Sequence, residues 1–311
     1  MKVSVVIPTY YRPKDLADLF DSLLRQTVKP MEVIVVDDTP VNVIERLCEK
    51  YYDKFKKLNI ELFYVRNHKE PSLTIARNIG VSIAKGDIIL FLDSDVVLHS
   101  NYVEKILEVF KDNLSALGVQ GWRAPKISQR GSKRLLKHFV LNSIRKLFLV
   151  QHFSVDRCNL FEYPLILTRV TNCQYLSGSN MAFRRIIFNE FKFDENLLKY
   201  AYLEDLLFTH SIYKKYPNSL YITPYAKYIH KVSEEGRIYR ISLLEDPFLR
   251  VCRKYVLMKL FGVKGLIIFG WQTLGLLALS ISRNFLEIYN SIARNKKINL
   301  DTIYLKIKSE E

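Results

Sequence analysis

The chain has 311 residues, 49% of them hydrophobic and 25% charged, a balance that supplies a sizeable core and argues against global disorder. Lys and Arg number 47 against 32 Asp and Glu, a net charge of +15, which favours anionic partners: nucleic acid, anionic lipid or phosphate-bearing substrates. Cys48, Cys158, Cys173 and Cys252 stand apart with no C-x-x-C spacing, which speaks against a zinc ribbon or disulfide framework and fits a reducing compartment. The opening "MKVSVVIPTY" is too short in its apolar part for a signal peptide, so the folded part is expected in the cytoplasm.

In chain order, "VSVVIP" is a β-branched run stopped by Pro8, read as a strand. Pro13 suits a first helical turn, and Leu16, Leu19, Phe20, Leu23 and Leu24 then repeat at helical spacing. "EVIVVDD" is a buried strand ending in Asp37 and Asp38. A helix over residues 42–57, the strand "IELFYV" and a helix carrying Ile75, Ala76, Ile79, Gly80, Ile83 and Ala84 follow, with Gly86 as its expected C-cap. "IILFL" then reads as a fully buried strand, and Asn101 with Glu104 as a capping-box start for the next helix. Strands alternating with helices predict a doubly wound, mostly parallel α/β sheet over about residues 1–120. No G-x-G-x-x-G follows the first strand and no G-x-x-x-x-G-K-[ST] occurs, so dinucleotide and P-loop chemistry is not indicated.

Residues 122–172 are irregular and basic, read as an insertion or flexible segment that shapes an acceptor site. "YLSGSNMAFRR" reads as a turn entering a strand, and "LEDLLFTHSIYKKYP" as a helix closed by Pro217. From about residue 246 the composition changes. Arg250, Arg253 and Lys254 fall on one helical face, and residues 265–282 carry no charge, a length at the lower limit for crossing a bilayer. An interfacial or re-entrant helical segment is the reading here, ahead of a span or a soluble helical pair.

The chemistry gathers where apolar strands end in acids. Two carboxylates, Asp93 and Asp95, at the end of "IILFL" raise each other's pKa; Mg²⁺ or Mn²⁺ carrying substrate phosphates would relieve that repulsion. Asp37 and Asp38 end a neighbouring strand beside "IPTYYRP", and together these suggest a base pocket, with a carboxylate accepting a ring N–H and Tyr10 or Tyr11 stacking.

"SVVIPTYYRP", "QTVKPMEVIVVDDTP", "SLTIARNIGVSIAKGDIILFLDSD", "YLSGSNMAFRR" and "LEDLLF" occur in the order seen in glycosyltransferase family 2, and residues 1–235 resemble that family. The resemblance implies a GT-A fold and inverting transfer from a nucleotide-diphosphate sugar. It places Pro8, Tyr10 and Asp38 at the base, Arg77 near the nucleotide, Asp93 at the ribose and Asp95 at the metal. Asp205 is implied as catalytic base, with Glu204 and Gly178 on the acceptor side and Gly178 serving a tight turn. His230 follows the family's habit of a His after the last core strand, as a further metal ligand or a diphosphate contact. Where the family more often has Asn after the aromatic of the first loop, this chain has Tyr11 and Arg12.

The organisation expected is a catalytic domain over 1–245, divided at about 120 into a nucleotide-sugar half and an acceptor-side half (about 121–245), and a helical, membrane-associating region over 246–311. The acceptor is read as a lipid-linked saccharide in glycan or cell-surface polysaccharide assembly, at an anionic membrane surface, with no nucleic acid expected. The rival readings are a sugar nucleotidyltransferase, a catalytically inactive scaffold of the same fold, and a basic nucleic-acid-binding protein. The first lacks its Gly-rich loop and the last lacks any recognised binding motif.

Overall fold

A computed structural model describes residues 1–123, 143–144, 147–149, 167–233 and 247–282. Its strands are β1 (Val3–Thr9), β2 (Glu32–Asp37), β3 (Glu61–Arg66), β4 (Ile88–Leu92), β5 (Val96–Leu98), β6 (Gly118–Arg123), β7 (Thr171–Asn172), β8 (Asn180–Arg184) and β9 (Leu220–His230). The helices are α1 (Pro13–Leu24), α2 (Val43–Lys56), α3 (Leu73–Ile83), α4 (Tyr102–Asp112), α5 (Glu204–Lys215), α6 (Pro247–Phe261) and α7 (Val263–Ser282).

One sheet runs in the order β3-β2-β1-β4-β8-β6-β9-β5, with β7 on β9. Its first four strands are parallel. Beyond β4 the pairing is mixed: β8 is antiparallel to both β4 and β6, β6 is parallel to β9, and β5 is antiparallel to β9. The sheet is continuous across residue 120, so the two halves expected from the sequence share one hydrogen-bonded layer.

Side chains alternate across the pleat. Val3, Val5 and Ile7 of β1 join a core with Leu16, Leu19 and Phe20 of α1, Phe55 of α2 and Phe110 of α4. Val6 faces the other way, into a cluster with Ile34, Phe91, Ala76 of α3 and Phe208 of α5. Helices thus cover both faces, and β4, flanked by β1 and β8, is buried along its whole length. That explains its unbroken apolar run.

Two local expectations change. Gly86 does not cap α3, which ends at Ile83 with Ala84 extended. Gly86 is small because a Cβ there would lie 2.7 Å from the backbone N of Ser4. Asn101 precedes α4 without a side-chain cap, and Glu104 instead accepts a hydrogen bond from Thr27 Oγ1 at 2.7 Å. Most of the basic 122–172 stretch lies outside the described residues.

Candidate active site

The carboxyl end of β4 delivers Asp93-Ser94-Asp95, and β5 turns away at once to pair with β9, where Val96 stands opposite His230. This register carries His230 to Asp95: its Nε2 lies 3.1 Å from Asp95 Oδ1. The other Asp95 oxygen accepts the Ser233 N–H at 3.0 Å and faces Arg12 Nη1 at 3.2 Å. Burial alone would raise the Asp95 pKa, but the hydrogen bond from His230 and the charges of His230 and Arg12 outweigh it and hold the carboxyl at about 2. Asp93 keeps 29% of its side chain exposed and lies 3.6 Å from Arg77 Nη2. Desolvation moves its pKa up, Arg77 opposes the rise and Asp95 adds to it.

Ligand atoms of Asp93, Asp95 and His230 all lie within 4.8 Å of one another. Two carboxylates and an imidazole suit a hard to borderline divalent cation, with the nitrogen favouring Mn²⁺ over Mg²⁺. The residues therefore fit a metal, and Arg12 supplies positive charge at the same place.

A second acidic pair stands at the start of α5. Glu204 and Asp205 are both buried, Asp205 to 1% exposure. Asp205 Oδ2 accepts the Gly178 N–H at 2.7 Å and Oδ1 accepts the Leu206 N–H at 2.8 Å. Arg77, itself 1% exposed, pairs with Glu204, donates from Nη2 to the Gly178 carbonyl at 2.9 Å, and lies over the Phe193 ring. Burial acts against the guanidinium's charge, but Glu204 and Asp93 raise its pKa above the ordinary value, so it stays cationic. The chain enters α5 through Lys199, Ala201 and Leu203, all with positive φ. Non-glycine residues hold that left-handed conformation only where packing over-determines it, and Ala201 and Leu203 are fully packed in the core.

Gly178 is explained by space. A Cβ there would stand 2.9 Å from Arg77 Nη2, 2.9 Å from Glu204 Oε1 and 3.2 Å from Asp205 Cβ. It sits in the expected turn before β8, where the Asn180 N–H donates to the Ser177 carbonyl at 3.3 Å. Its φ is not left-handed, so close approach and not backbone freedom is what calls for glycine there.

On the β1–β2 side, Pro8 is buried within β1 opposite Val36. Tyr10 meets Tyr11 edge to face at 4.7 Å, and Tyr11, with φ +51°, is 38% exposed. Asp37 is fully buried and accepts from the Thr39 N–H and Tyr64 hydroxyl at 2.8 and 3.1 Å, so it is a structural turn residue. Asp38 accepts from Asn67 Nδ2 at 2.7 Å and from the Ser72 N–H at 3.1 Å. Burial nevertheless raises its pKa to about 6, against those hydrogen bonds.

The fold thus gathers Arg77, Asp93, Asp95, Gly178, Glu204, Asp205 and His230 around the end of β4, and sets Pro8, Tyr10 and Asp38 at the ends of β1 and β2. Arg77 reaches the cluster from within the core, through Asp93 and Glu204. Sequence reasoning missed the pairing of Arg12 with Asp95. It also missed Lys231, whose Nζ bonds Asp15 at 2.9 Å and pairs with Asp18 while its N–H donates to the Asp95 carbonyl at 3.0 Å. The one signal for Arg12 was its unusual loop, "TYYRP".

Comparison with known proteins bears on the family and the fold. Similar chains include an uncharacterized glycosyltransferase of Methanocaldococcus jannaschii, 28% identical over 209 residues, covering 64% of this chain and 70% of that one. The glucosyl-dolichyl phosphate glucuronosyltransferase of Haloferax volcanii is 26% identical over 192 residues, covering 61% of this chain and 55% of that one. An uncharacterized glycosyltransferase of Haemophilus influenzae is matched over only 35% of its length, and 36% of this chain, at 32% identity. Among solved structures, S. aureus TarS 1-349 in complex with UDP-GlcNAc has a TM-score of 0.52 at 20% identity, covering 88% of this chain and 71% of that one. That likeness is one of fold, and it fits the GT-A architecture expected from the motifs. The family model for glycosyl transferase family 2 matches residues 4–191, and the chain belongs to that family.

Proposed function

We propose that this protein is an inverting, metal-dependent glycosyltransferase that moves a sugar from a nucleotide-diphosphate donor to a hydroxyl acceptor. The observation that carries the reading is the clustering of Asp93, Asp95 and His230 within 4.8 Å beside the Arg77-held Glu204–Asp205 pair. Two relatives support the donor class by their names: TarS is solved with UDP and with UDP-GlcNAc, and the Haloferax enzyme is a glucuronosyltransferase.

Asp95, Asp93 and His230 would hold Mn²⁺ or Mg²⁺, which when bound offsets the charge of a departing diphosphate. Arg12 is placed to turn from Asp95 toward the same anion. Asp38 accepts an N–H of the base, with Tyr10 against its face and Pro8 beneath. Asp205 takes the proton of the acceptor hydroxyl as that oxygen attacks the anomeric carbon. Because Asp205 is enclosed and bonded to Gly178, the turn Ser177–Ser179 must move aside for the acceptor to meet it. Glu204, fixed by Arg77, positions its neighbour. The acceptor is a lipid-linked saccharide, a reading supported by the dolichyl phosphate in the Haloferax enzyme's name and by the charge of +15. The protein would then work peripherally at the cytoplasmic face of an anionic membrane.

The test is a melting series with UDP, GDP, dTDP and CDP, each with Mn²⁺ or EDTA, on wild type and Asp205→Asn. A metal-dependent rise for one nucleotide is expected, because a ligand bound only to the folded state stabilises it by mass action. Asp205→Asn should keep that rise and lose transfer by about a hundredfold or more. Loss of nucleotide binding in the variant would remove Asp205 from the role of base.

A further inference from the structure

α7 is built inside out. Val263, Ile267, Trp271, Leu274, Leu277 and Ile281 recur at helical spacing and are all exposed, Ile267 at 71% and Ile281 at 69%. Over its length, about 30 Å at 1.5 Å per residue, Lys264 is the sole charge in the sequence. The polar side chain of Gln272 points the other way and is fully buried. A soluble amphipathic helix shows the reverse arrangement, and an apolar strip of this length marks an interaction surface.

We infer that α7 lies lengthwise in the interface of an anionic membrane, with this strip in the lipid and the catalytic domain above it, and that it does not cross the bilayer. Gln272, midway along α7, accepts a hydrogen bond from Arg253 Nε at 2.8 Å and donates to the Leu149 carbonyl at 2.6 Å. Arg253 belongs to α6 and is 1% exposed, so the expected basic face of Arg250, Arg253 and Lys254 is split: Arg253 points inward while the other two stay exposed. α6 and α7 fold back on each other at Gly262, with φ +59°, and Arg253 and Gln272 stand at similar distances from that turn. α6 is in turn seated on the catalytic domain: Leu249, Cys252, Val256 and Leu260 share a cluster with Leu203, Leu206 and Leu207 of the α5 region. The midpoint of a spanning helix lies about 15 Å from either water face. Placing Gln272 there would carry Arg253 and the start of α5 into hydrocarbon. A helix clamped at its middle to a globular domain can meet lipid only along its outer side. Arg250, Lys254 and Lys259 of α6 and Lys264 at the start of α7 are exposed, and this positive charge on the helical pair favours an anionic surface.

This deepens the membrane part of the reading above and uses none of its donor chemistry. The test uses the full chain with Cys158→Ser, since Cys48, Cys173 and Cys252 are buried. A nitrobenzoxadiazole label is placed at Val263→Cys, Leu274→Cys or Ile281→Cys. Vesicles of phosphatidylcholine with about one third phosphatidylglycerol, an anionic lipid surface, are added. All three labels should report a similar shallow depth and be bleached by external dithionite. A deep Leu274 label with one end protected from dithionite would show a span and overturn the inference. So would failure to float with these vesicles. Ile267→Glu with Leu274→Glu should cut flotation by about tenfold or more, since each replacement removes an apolar side chain from lipid. Unchanged flotation would clear the strip of any role. The nucleotide-induced melting rise, measured on the same variant, reports the donor site separately: flotation without that rise would sink the transferase reading and leave this one standing.

Discussion

The protein neutralises two acidic pairs in two different ways. Asp93 and Asp95, at the end of β4, are balanced on the outer side by Arg12, 16% exposed, which can leave, and by His230, 17% exposed, which can trade its bond to Asp95 for a shared metal. Glu204 and Asp205, at the start of α5, are balanced by backbone N–H groups and by a guanidinium sealed in the core. The first pair can exchange its counter-charge for a ligand, because side chains at the surface rotate at little cost. In the second, Arg77 and Glu204 are held by the packing of α3 and α5, and only the Gly178 turn can give way. One end of the site is therefore exchangeable and the other is preformed, as expected if one binds a charged donor and the other holds a base in place.

Arg77→Met breaks the preformed end, and the largest effect is expected there. Removing one partner of a buried pair leaves the other charge uncompensated and costs about 3–5 kcal/mol. Urea denaturation should show that loss, with the nucleotide-dependent melting rise weakened as well. A cost under about 1 kcal/mol would mean that Glu204 finds another partner, and the contrast between the two pairs would collapse.

Gly178→Ala acts on the same end more gently. The added methyl meets Arg77 and Glu204 at distances no Cβ tolerates, so about 1–3 kcal/mol of strain is expected. Transfer should fall further than stability alone explains, because Gly178 also holds Asp205. Full activity with lowered stability would show that the Gly178–Asp205 bond has no part in positioning.

The two ends were unequally legible in the sequence. The β4 acids announce themselves, since five buried apolar residues followed by D-x-D leave few explanations, and the apolar periods of α1, α2 and α3 gave the doubly wound half. Arg77 was legible only as a position in a motif. Its partners come from β4, the Gly178 turn and α5, and no local pattern encodes contacts between distant segments. Arg253 misled for a related reason: helical spacing puts it with Arg250 and Lys254, but α7 packs on that side and draws it inward. Gly178 was correctly singled out, although its cause is crowding by three side chains and not backbone freedom. Past β4, β8 was legible as the strand after the "YLSG" turn, whereas β5 and β7 were hidden because they are only 3 and 2 residues long and are defined by their pairing with β9.

Arg12→Ala sharpens the exchangeable end. Asp95 is only 1% exposed, but it keeps His230 and the Ser233 N–H when Arg12 is gone. Removing Arg12 should therefore cost about 1–3 kcal/mol of stability in EDTA, less than Arg77→Met. It should, however, tighten Mn²⁺ binding by a few-fold, roughly 1 kcal/mol or less, because Asp95 loses a competing cation. Titration calorimetry with Mn²⁺ and no nucleotide measures this directly. Weaker binding in the variant would show Arg12 to be an organiser of the site and not a stand-in for its metal.

The last effect is expected at Asp38, on the donor side of the exchangeable end, and its sign follows from its environment. Burial raises the folded-state pKa from 3.8 to about 6, so folding favours the protonated carboxyl. The penalty for ionising it is absent below pH 3.8, grows up to about 6 and is complete above that. Relative to Asp38→Asn, wild type should gain stability as pH falls from about 7 toward 4, on the order of 1 kcal/mol per unit within that window. Nucleotide binding should move the other way. An ionised Asp38 accepts a ring N–H, and a protonated one has less to offer, so wild-type affinity should weaken below about pH 6. In Asp38→Asn both dependences should flatten together. Were stability to flatten while nucleotide affinity kept its pH dependence, Asp38 would be a buried turn carboxylate like Asp37, and the base would have to be read by the Tyr10–Tyr11 loop alone.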